Sequence, residues 1–395
     1  MSRRSSFEDV GKVYKRLKTN YASFPLGNNY NYEGSFPIYK QPQELVSYSI
    51  DHERRVWFDD RELKYYSPPN EDDDQDLNIG YEKMIKRDDS IPEHIDTLLD
   101  ALTFYNTENK NTTTADIVTW RGIMTKLMCT PYSRKEAWTL RATRYKDTIY
   151  IEEEKKEEEK MTEKQKLMSY WGYRFETLYT KPYSINDKED DDDKTIVNTN
   201  IQYCTVVKTK LGNNSIIMGA EVDCCNKEKS KQKLENYIEL KTSRIIESKQ
   251  NLYSFERYKL LKFWAQSFLV GVPKIICGFR NDEGRILNIK EYKTLEIPRL
   301  IRNKPNLWNP SVCLNFANEL LNWIRLKMTE NDATLTYLIE FKYPFKEINL
   351  TNTGHSHVFL TQRFINGTIQ HDIGGERAAT TAATAAIAAE QSAEI

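Results

Sequence analysis

Between Gly219 and Lys241 the chain carries three carboxylates and an ammonium at spacings that bring them together in a sheet. In Gly219-Ala220-Glu221-Val222-Asp223, a strand's period of two puts Glu221 and Asp223 on one face and Val222 on the other. A Lys-rich polar loop from Asn226 to Lys233 follows, and the sequence returns as Tyr237-Ile238-Glu239-Leu240-Lys241, where the same rule groups Glu239 with Lys241. If the two segments are antiparallel neighbours, all four charged side chains converge on one side of the sheet. Metal-dependent phosphoryl hydrolysis needs that set. Carboxylate oxygens hold one or two Mg²⁺ or Mn²⁺ ions, which polarise the phosphoryl group and acidify bound water, while the lysine steadies developing charge. A solvated sheet laced by cross-strand ion pairs meets the same spacing, so these triplets alone leave both readings open.

Three further segments bear on that choice. Glu176 lies four residues after Gly172, beside the helical stripe Leu167, Trp171 and Phe175; it is either a fourth carboxylate or a surface glutamate. Gly172 is expected to admit a close neighbour. Gln266, in Trp264-Ala265-Gln266-Ser267-Phe268, shares a helical face with Lys259 and Lys262 and either caps buried backbone or donates to a ligand phosphate or ribose. From Arg121 to Lys146, seven basic residues (Arg121, Lys126, Arg134, Lys135, Arg141, Arg144, Lys146) face one acidic residue, Glu136. The interleaved Trp120, Tyr132, Trp138 and Tyr145 suit either base stacking or a core.

Composition limits the alternatives. The chain has 395 residues with 57 Lys+Arg against 58 Asp+Glu, a net charge of −1, so a polyanion must be held by a local patch. Its 5 histidines and 6 cysteines show no zinc spacing, which leaves the chemistry to carboxylates, Lys, Arg and amides and favours hard cations. No C-x-x-C pair occurs, and adjacent Cys224 and Cys225 suit a reducing compartment. No apolar run approaches the roughly 18 residues of a membrane span, and residues 1–20 lack a signal-peptide core, so a soluble intracellular protein without membrane contact is expected.

Alternation and turn residues predict strands at 44–50, 55–58, 138–145, 148–151, 216–224, 237–242, 273–280, 285–289 and 335–343. The loop Asn281-Asp282-Glu283-Gly284 reads as a hairpin turn. Helical periodicity covers 165–179 and 255–270, and a third helix, capped by Ser311, runs to about Met328. The acidic runs from Glu71 to Asp76, Glu152 to Lys160 and Asp187 to Asp193 read as solvated loops or helix ends. The organisation expected is an N-terminal arm over 1–35, one α/β-type (mixed α+β) catalytic domain over 36–350, and a low-complexity Ala/Thr-rich tail over 351–395.

In order, Thr119-Trp120-Arg121-Gly122 with Thr130-Pro131-Tyr132, Gly172-Tyr173-Arg174-Phe175-Glu176, Gly219-Ala220-Glu221-Val222-Asp223, Glu239-Leu240-Lys241-Thr242-Ser243, Trp264-Ala265-Gln266-Ser267-Phe268 with Gly271-Val272-Pro273, and Gly278-Phe279-Arg280 resemble the motif series of the Rai/DXO family of RNA 5′-end decapping enzymes. Gln41-Pro42-Gln43-Glu44 through Tyr65-Tyr66 is similar too, and the resemblance spans roughly 36–347. It implies two twisted mixed β-sheets flanked by helices, with a PD-(D/E)xK nuclease-like core and an Mg²⁺ or Mn²⁺ site. Carried over, Glu176, Asp223 and Glu239 are the main metal carboxylates, the Leu240 carbonyl is a further ligand, and Glu221 binds directly or through water. Lys241 and Gln266 would contact the reacting phosphate and water, Arg121 would hold the RNA 5′ phosphate region, and Glu176 would border the same substrate.

The activity implied is removal of incomplete RNA 5′ ends, leaving 5′-monophosphate RNA: pyrophosphate from 5′-triphosphate RNA, the unmethylated cap dinucleotide, or an NAD cap. Some relatives of this type also degrade RNA 5′→3′. Fungal nuclear members bind a larger 5′→3′ exoribonuclease, which implies such a partner and a nuclear location, with the cytoplasm as alternative; Asn/Lys/Asp-rich loops suit a yeast-like member. The competing functions are a stabilising subunit of that exoribonuclease with a vestigial site, and a DNA-acting nuclease of the same core type.

Overall fold

Apolar alternation and helical stripes resolve into strands and helices across the residues described by the computed structural model, 21–70, 75–154, 161–182, 196–227 and 233–368. In chain order the strands are β1 (Tyr21–Pro25), β2 (Gln43–Ile50), β3 (Val56–Trp57), β4 (Lys64–Tyr66), β5 (Ile117–Trp120), β6 (Trp138–Tyr145), β7 (Thr148–Glu153), β8 (Thr180–Pro182), β9 (Gln202–Leu211), β10 (Asn214–Glu221), β11 (Cys224–Cys225), β12 (Tyr237–Arg244), β13 (Lys274–Arg280), β14 (Ile286–Lys293), β15 (Thr336–Phe341) and β16 (Glu347–Gly354). The helices are α1 (Asp96–Glu108), α2 (Arg121–Cys129), α3 (Glu163–Leu178), α4 (Lys249–Ser254), α5 (Leu260–Val270), α6 (Ile297–Ile301), α7 (Pro310–Lys327) and α8 (Gln362–Asn366).

Two mixed sheets result, one ten-stranded in the order β1-β16-β15-β6-β7-β5-β10-β9-β2-β3 and one six-stranded in the order β14-β13-β12-β11-β4-β8. In the larger, β5 runs parallel to both β7 and β10. In the smaller, β12 and β13 are parallel, so their connection must cross over, and it does so through α4, a π-helical turn at Phe255–Lys259, and α5. Side chains of α2, α5 and α7 fill the main core with residues of both sheets, including Met218, Ala220, Ile275 and Cys277. On the other face of the large sheet, Leu98, Leu99 and Leu102 of α1 pack over Tyr48, Val206 and Ile217. Trp171 and Phe175 of α3 cover Ile238, Leu240 and Ile276 of the small sheet.

Several expectations are corrected. The strand predicted over 216–224 is two: β10 ends at Glu221, the Val222 amide still donates to the Tyr203 carbonyl at 2.9 Å, and the chain then steps across so that Cys224 pairs with Ile238 of β12. Glu221 and Asp223 therefore do not share one face of one strand. Asn309, not Ser311, caps α7: its side chain accepts the Ser311 amide at 2.9 Å, and Pro310 takes the first turn, where no amide donor is needed. The folded body also crosses both boundaries drawn around 36–350. Tyr21 of β1 is opposite Thr351 of β16, and Arg363 of α8 donates to Asp100 of α1 at 2.8 Å.

The turn at 281–284 forms as read, with Gly284 at φ 87° between β13 and β14. All six cysteines are buried free thiols. Among the described residues, no helix is long and apolar enough to cross a membrane.

Candidate active site

Two glycines of one hairpin, Gly278 in β13 and Gly284 in the turn that follows it, seat the helix that carries Glu176. A Cβ at Gly278 would meet the Phe175 ring at 2.5 Å, and one at Gly284 would meet the Trp171 ring at 2.6 Å, so a side chain at either position would push α3 off the small sheet. The expected close approach at Gly172 is not found, because nothing lies within 4 Å of its Cβ position; the close fit belongs to the hairpin's glycines and the helix's aromatics. Gly219 does the same for the Trp120 ring, which lies directly against it. The start of α3 is fixed by a capping box in which Thr162 and Gln165 satisfy each other's backbone amides.

Glu239 is the centre of the charged network and only 2% exposed. Arg121, the first residue of α2, donates to its Oε2 at 3.0 Å, and Lys241 Nζ lies 2.6 Å from its Oε1. The same ammonium is 3.9 Å from Asp223 Oδ2, and the Leu240 amide donates to that oxygen at 2.6 Å. A strand's alternation explains the pairing: Glu239 and Lys241 project to one face of β12, while Ile238 and Leu240 meet α3 on the other. Glu176 and Glu221 complete the cluster electrostatically: the Glu221 charge opposes ionisation of both Asp223 and Glu176.

The acids are unequally treated. Burial opposes ionisation of Glu239, but Arg121 and Lys241 outweigh it and hold its pKa at about 2. Asp223 is pushed up to about 7, by burial first and the Glu239 charge second, with Lys241 and the Leu240 amide offsetting only part. Burial, then Asp223 and Glu221, push Glu176 well above the carboxylate range. Glu221 is raised by burial, eased by Arg121 and a hydrogen bond from Gln202, although its own side chain reaches open solvent at the cleft. Four carboxylates thus face two cations, and the surplus negative charge lies on hard oxygen donors, which is what a divalent Mg²⁺ or Mn²⁺ would relieve. The Glu239 Oε1 atom is buried without a well-aligned hydrogen bond despite the nearby ammonium. Among the described residues no set of three His, Cys, Asp or Glu groups stands as a preassembled cage, so the fit rests on donor chemistry and charge.

Other candidates fall elsewhere. Gln266 lines an adjoining cavity of ≈ 400 Å³ with Gly122, Lys126 and Lys262, and Trp120 borders both this cavity and the main cleft. The basic segment is not one patch. Lys126 pairs with Glu153, Arg141 with Glu154 at 2.7 Å, and Arg144 with Asp147 at 3.0 Å, while Arg134 donates to the Gly27 carbonyl and to Asn29. Two of its aromatics are structural, since Trp138 is buried and the Tyr132 hydroxyl accepts the Asn309 amide, whereas Trp120 lines both cavities. Residues 228–232 of the Lys-rich loop and the acidic run 187–193 lie outside the described residues. Glu152, expected in a solvated run, is buried at 3% exposure, because it belongs to β7.

The main cleft, of ≈ 1190 Å³, was not foreseen. Glu221 stands at one end, and Arg54, His94, Arg141 and Glu152 line it. A signal existed in Thr148-Ile149-Tyr150-Ile151-Glu152, whose alternation continues a strand into the acidic run.

Two mixed sheets with a Glu-x-Lys strand meeting acids from a helix and a second sheet define a nuclease-type hydrolase centre. The chain belongs to the RAI1-like PD-(D/E)XK nuclease family, whose model matches residues 40–365. It is 35% identical over 373 residues to the decapping nuclease RAI1 of Neurospora crassa, covering 90% of each chain. It is 38% identical over 359 residues to the decapping and exoribonuclease protein of Xenopus laevis, covering 85% of this chain and 88% of that one. Among solved structures it is similar to Candida albicans Rai1 in complex with pU5 and Mn²⁺, with TM-score 0.77, 30% identity, and coverage of 88% and 98%.

Proposed function

We propose that this protein is a divalent-metal-dependent hydrolase of RNA 5′ ends that removes incomplete caps and leaves 5′-monophosphate RNA. The observation that carries the reading is the Glu239 network: a buried carboxylate tied to Lys241 and Arg121, beside acids whose charge those two cations do not balance. Family membership, and relatives described as decapping nucleases, support RNA as the substrate.

Glu176, Glu221, Asp223 and Glu239, with the Leu240 carbonyl, would hold the Mg²⁺ or Mn²⁺ ion, which supplies Lewis-acid polarisation of a phosphoryl oxygen and an acidified water. Lys241, kept charged by Glu239 and Asp223 against its burial, donates to a non-bridging phosphate oxygen as negative charge grows there. Arg121 is fixed by Glu239 at the start of α2, where it steadies the 5′ phosphate region. Leu240 orients Asp223 through its amide, and Gln266 borders the adjoining cavity that takes a polar part of the substrate. The substrates within this reading are 5′-triphosphate RNA, unmethylated-cap RNA and NAD-capped RNA, with 5′→3′ trimming as an added activity.

A nuclear location and a larger 5′→3′ exoribonuclease partner belong to the same proposal. The alternative, a stabilising subunit with a vestigial site, is disfavoured by the retention of every charged group in the network. RNAs bearing each 5′ end, incubated with Mn²⁺ or with EDTA, should yield 5′-monophosphate product only with metal. No cleavage of any RNA end, together with tight exoribonuclease binding, would favour the subunit role. Equal cleavage of DNA ends would favour the DNA nuclease.

A further inference from the structure

Strand register extends the active site across the large sheet. Arg141 of β6 is opposite Glu152 of β7, β7 and β5 pair in parallel through Ile151 and Thr119, and Trp120 of β5 is beside Gly219 of β10. Aligned residues share a face, so Arg141, Glu152, Trp120 and Glu221, two residues beyond Gly219, all project into the same cleft. Two strand spacings and two residue rises put Glu152 about 12 Å from Glu221.

The far end of that row has the construction of a binding site. Glu152 is 3% exposed, and its Oε1 has no hydrogen-bond partner. The Arg141 guanidinium stops 3.8 Å short of that oxygen because its Nη2 is committed to Glu154 at 2.7 Å. The other oxygen, Oε2, holds His94 Nδ1 at 2.7 Å, and His94 is kept in a left-handed conformation, φ 45°, that residues other than glycine rarely adopt. An orphaned buried acceptor beside a constrained, partly exposed imidazole is costly to maintain for stability alone.

Charge narrows the ligand. The cleft lining carries three arginines against seven carboxylates, so its arginines can accompany the few phosphates of a departing 5′ group but the excess of acceptors disfavours a long phosphodiester chain. A neutral base with N–H donors on its Watson–Crick edge does gain: a carboxylate accepts such donors, and an imidazole offers a stacking face. We propose that Glu152, His94 and Arg141 form a subsite for the terminal nucleoside of the departing 5′ group, with guanine the base it fits best. This inference rests on the RNA 5′-end reading, which the test separates from it.

The experiment compares kcat/KM for guanosine-capped, inosine-capped and 5′-triphosphate RNA in wild type, Glu152→Gln and His94→Ala. Wild type should favour guanosine over inosine caps severalfold, because inosine lacks the 2-amino donor; this needs no variant and so survives a folding defect. Glu152→Gln should lower cleavage of guanosine-capped RNA about tenfold and abolish the guanosine preference, with 5′-triphosphate RNA within twofold of wild type. His94→Ala should move the same ratio in the same direction. No guanosine preference in wild type, or equal losses on every 5′ end, would overturn the subsite while leaving the hydrolase reading intact. Wild type inert on all RNA ends would remove both.

Discussion

Glu239 and Asp223 are reached by the same lysine, yet they sit in opposite electrostatic conditions. Glu239 faces both Arg121 and Lys241, and its carboxylate stays ionised down to about 2. Asp223 sees that ammonium only at 3.9 Å, lies beside the Glu239 charge, and rises to about 7; Glu176 is pushed upward as well, by burial and then by Asp223 and Glu221. One side of the cluster is a closed ion-paired knot, and the other is a set of acids still short of positive charge. The knot fixes geometry, and the uncompensated acids supply affinity for a cation. A buried pair gains little net stability over apolar packing, so the network is better understood as positioning Lys241 and Arg121 than as holding the fold.

Breaking the knot should have the largest effect. Glu239→Ala leaves the partly buried Lys241 and Arg121 without their shared partner, so single-turnover cleavage of 5′-triphosphate RNA should fall by roughly 10³-fold. Urea unfolding should show a loss of about 3 kcal/mol, the scale for stripping one partner from a buried pair. Wild-type activity in this variant would mean that the knot does not position the reacting groups.

Moving the open side without touching a charge is the next test. In Gly278→Ala the new methyl group strikes the Phe175 ring, so α3 must lift and carry Glu176 with it. Stability should drop by about 1–3 kcal/mol and turnover by about tenfold. If turnover is unchanged at the lower stability, Glu176 takes no part in the chemistry.

The smallest effect is the pH dependence of the metal-free protein. Asp223 has its pKa raised from 3.8, so the stability it contributes is present at low pH and is lost as pH rises through about 7. Glu239 has its pKa lowered, so its contribution is present above 4.5 and lost only as pH falls towards about 2. Between pH 5 and 8, then, only the open side titrates. The melting temperature of chelator-treated protein should fall by a few degrees across that window, with ~2–4 °C per kcal/mol for a chain of this class, and Mn²⁺ should flatten the slope. A rise with pH in the absence of metal would reverse the assignment of which side is uncompensated.

Much of this centre was legible because it is local. The Glu239-Leu240-Lys241 alternation survives in β12, and the helical stripe of α3 places Phe175 inward with Glu176 beside it. Failures arose where distant strands decide. Period two misassigned Glu221 and Asp223 because the chain changes sheets between them, a step set by the partners of Tyr203 and Ile238 and invisible in the alternation itself. The basic stretch after Arg121 looked like a phosphate patch only until its partners Glu153, Glu154 and Asp147 were in place. Glu152 was hidden by its acidic neighbours, although one register with Arg141 sets it apart from them.

Titration calorimetry with Mn²⁺, comparing wild type with a Glu176→Gln and Asp223→Asn double variant, probes the uncompensated acids most directly. Saturable Mn²⁺ uptake by the wild type, lost in the double variant while its fold stays intact by circular dichroism, is the expected result. Equal uptake by both proteins, or none by either, would contradict a cation site built on the open side of the cluster.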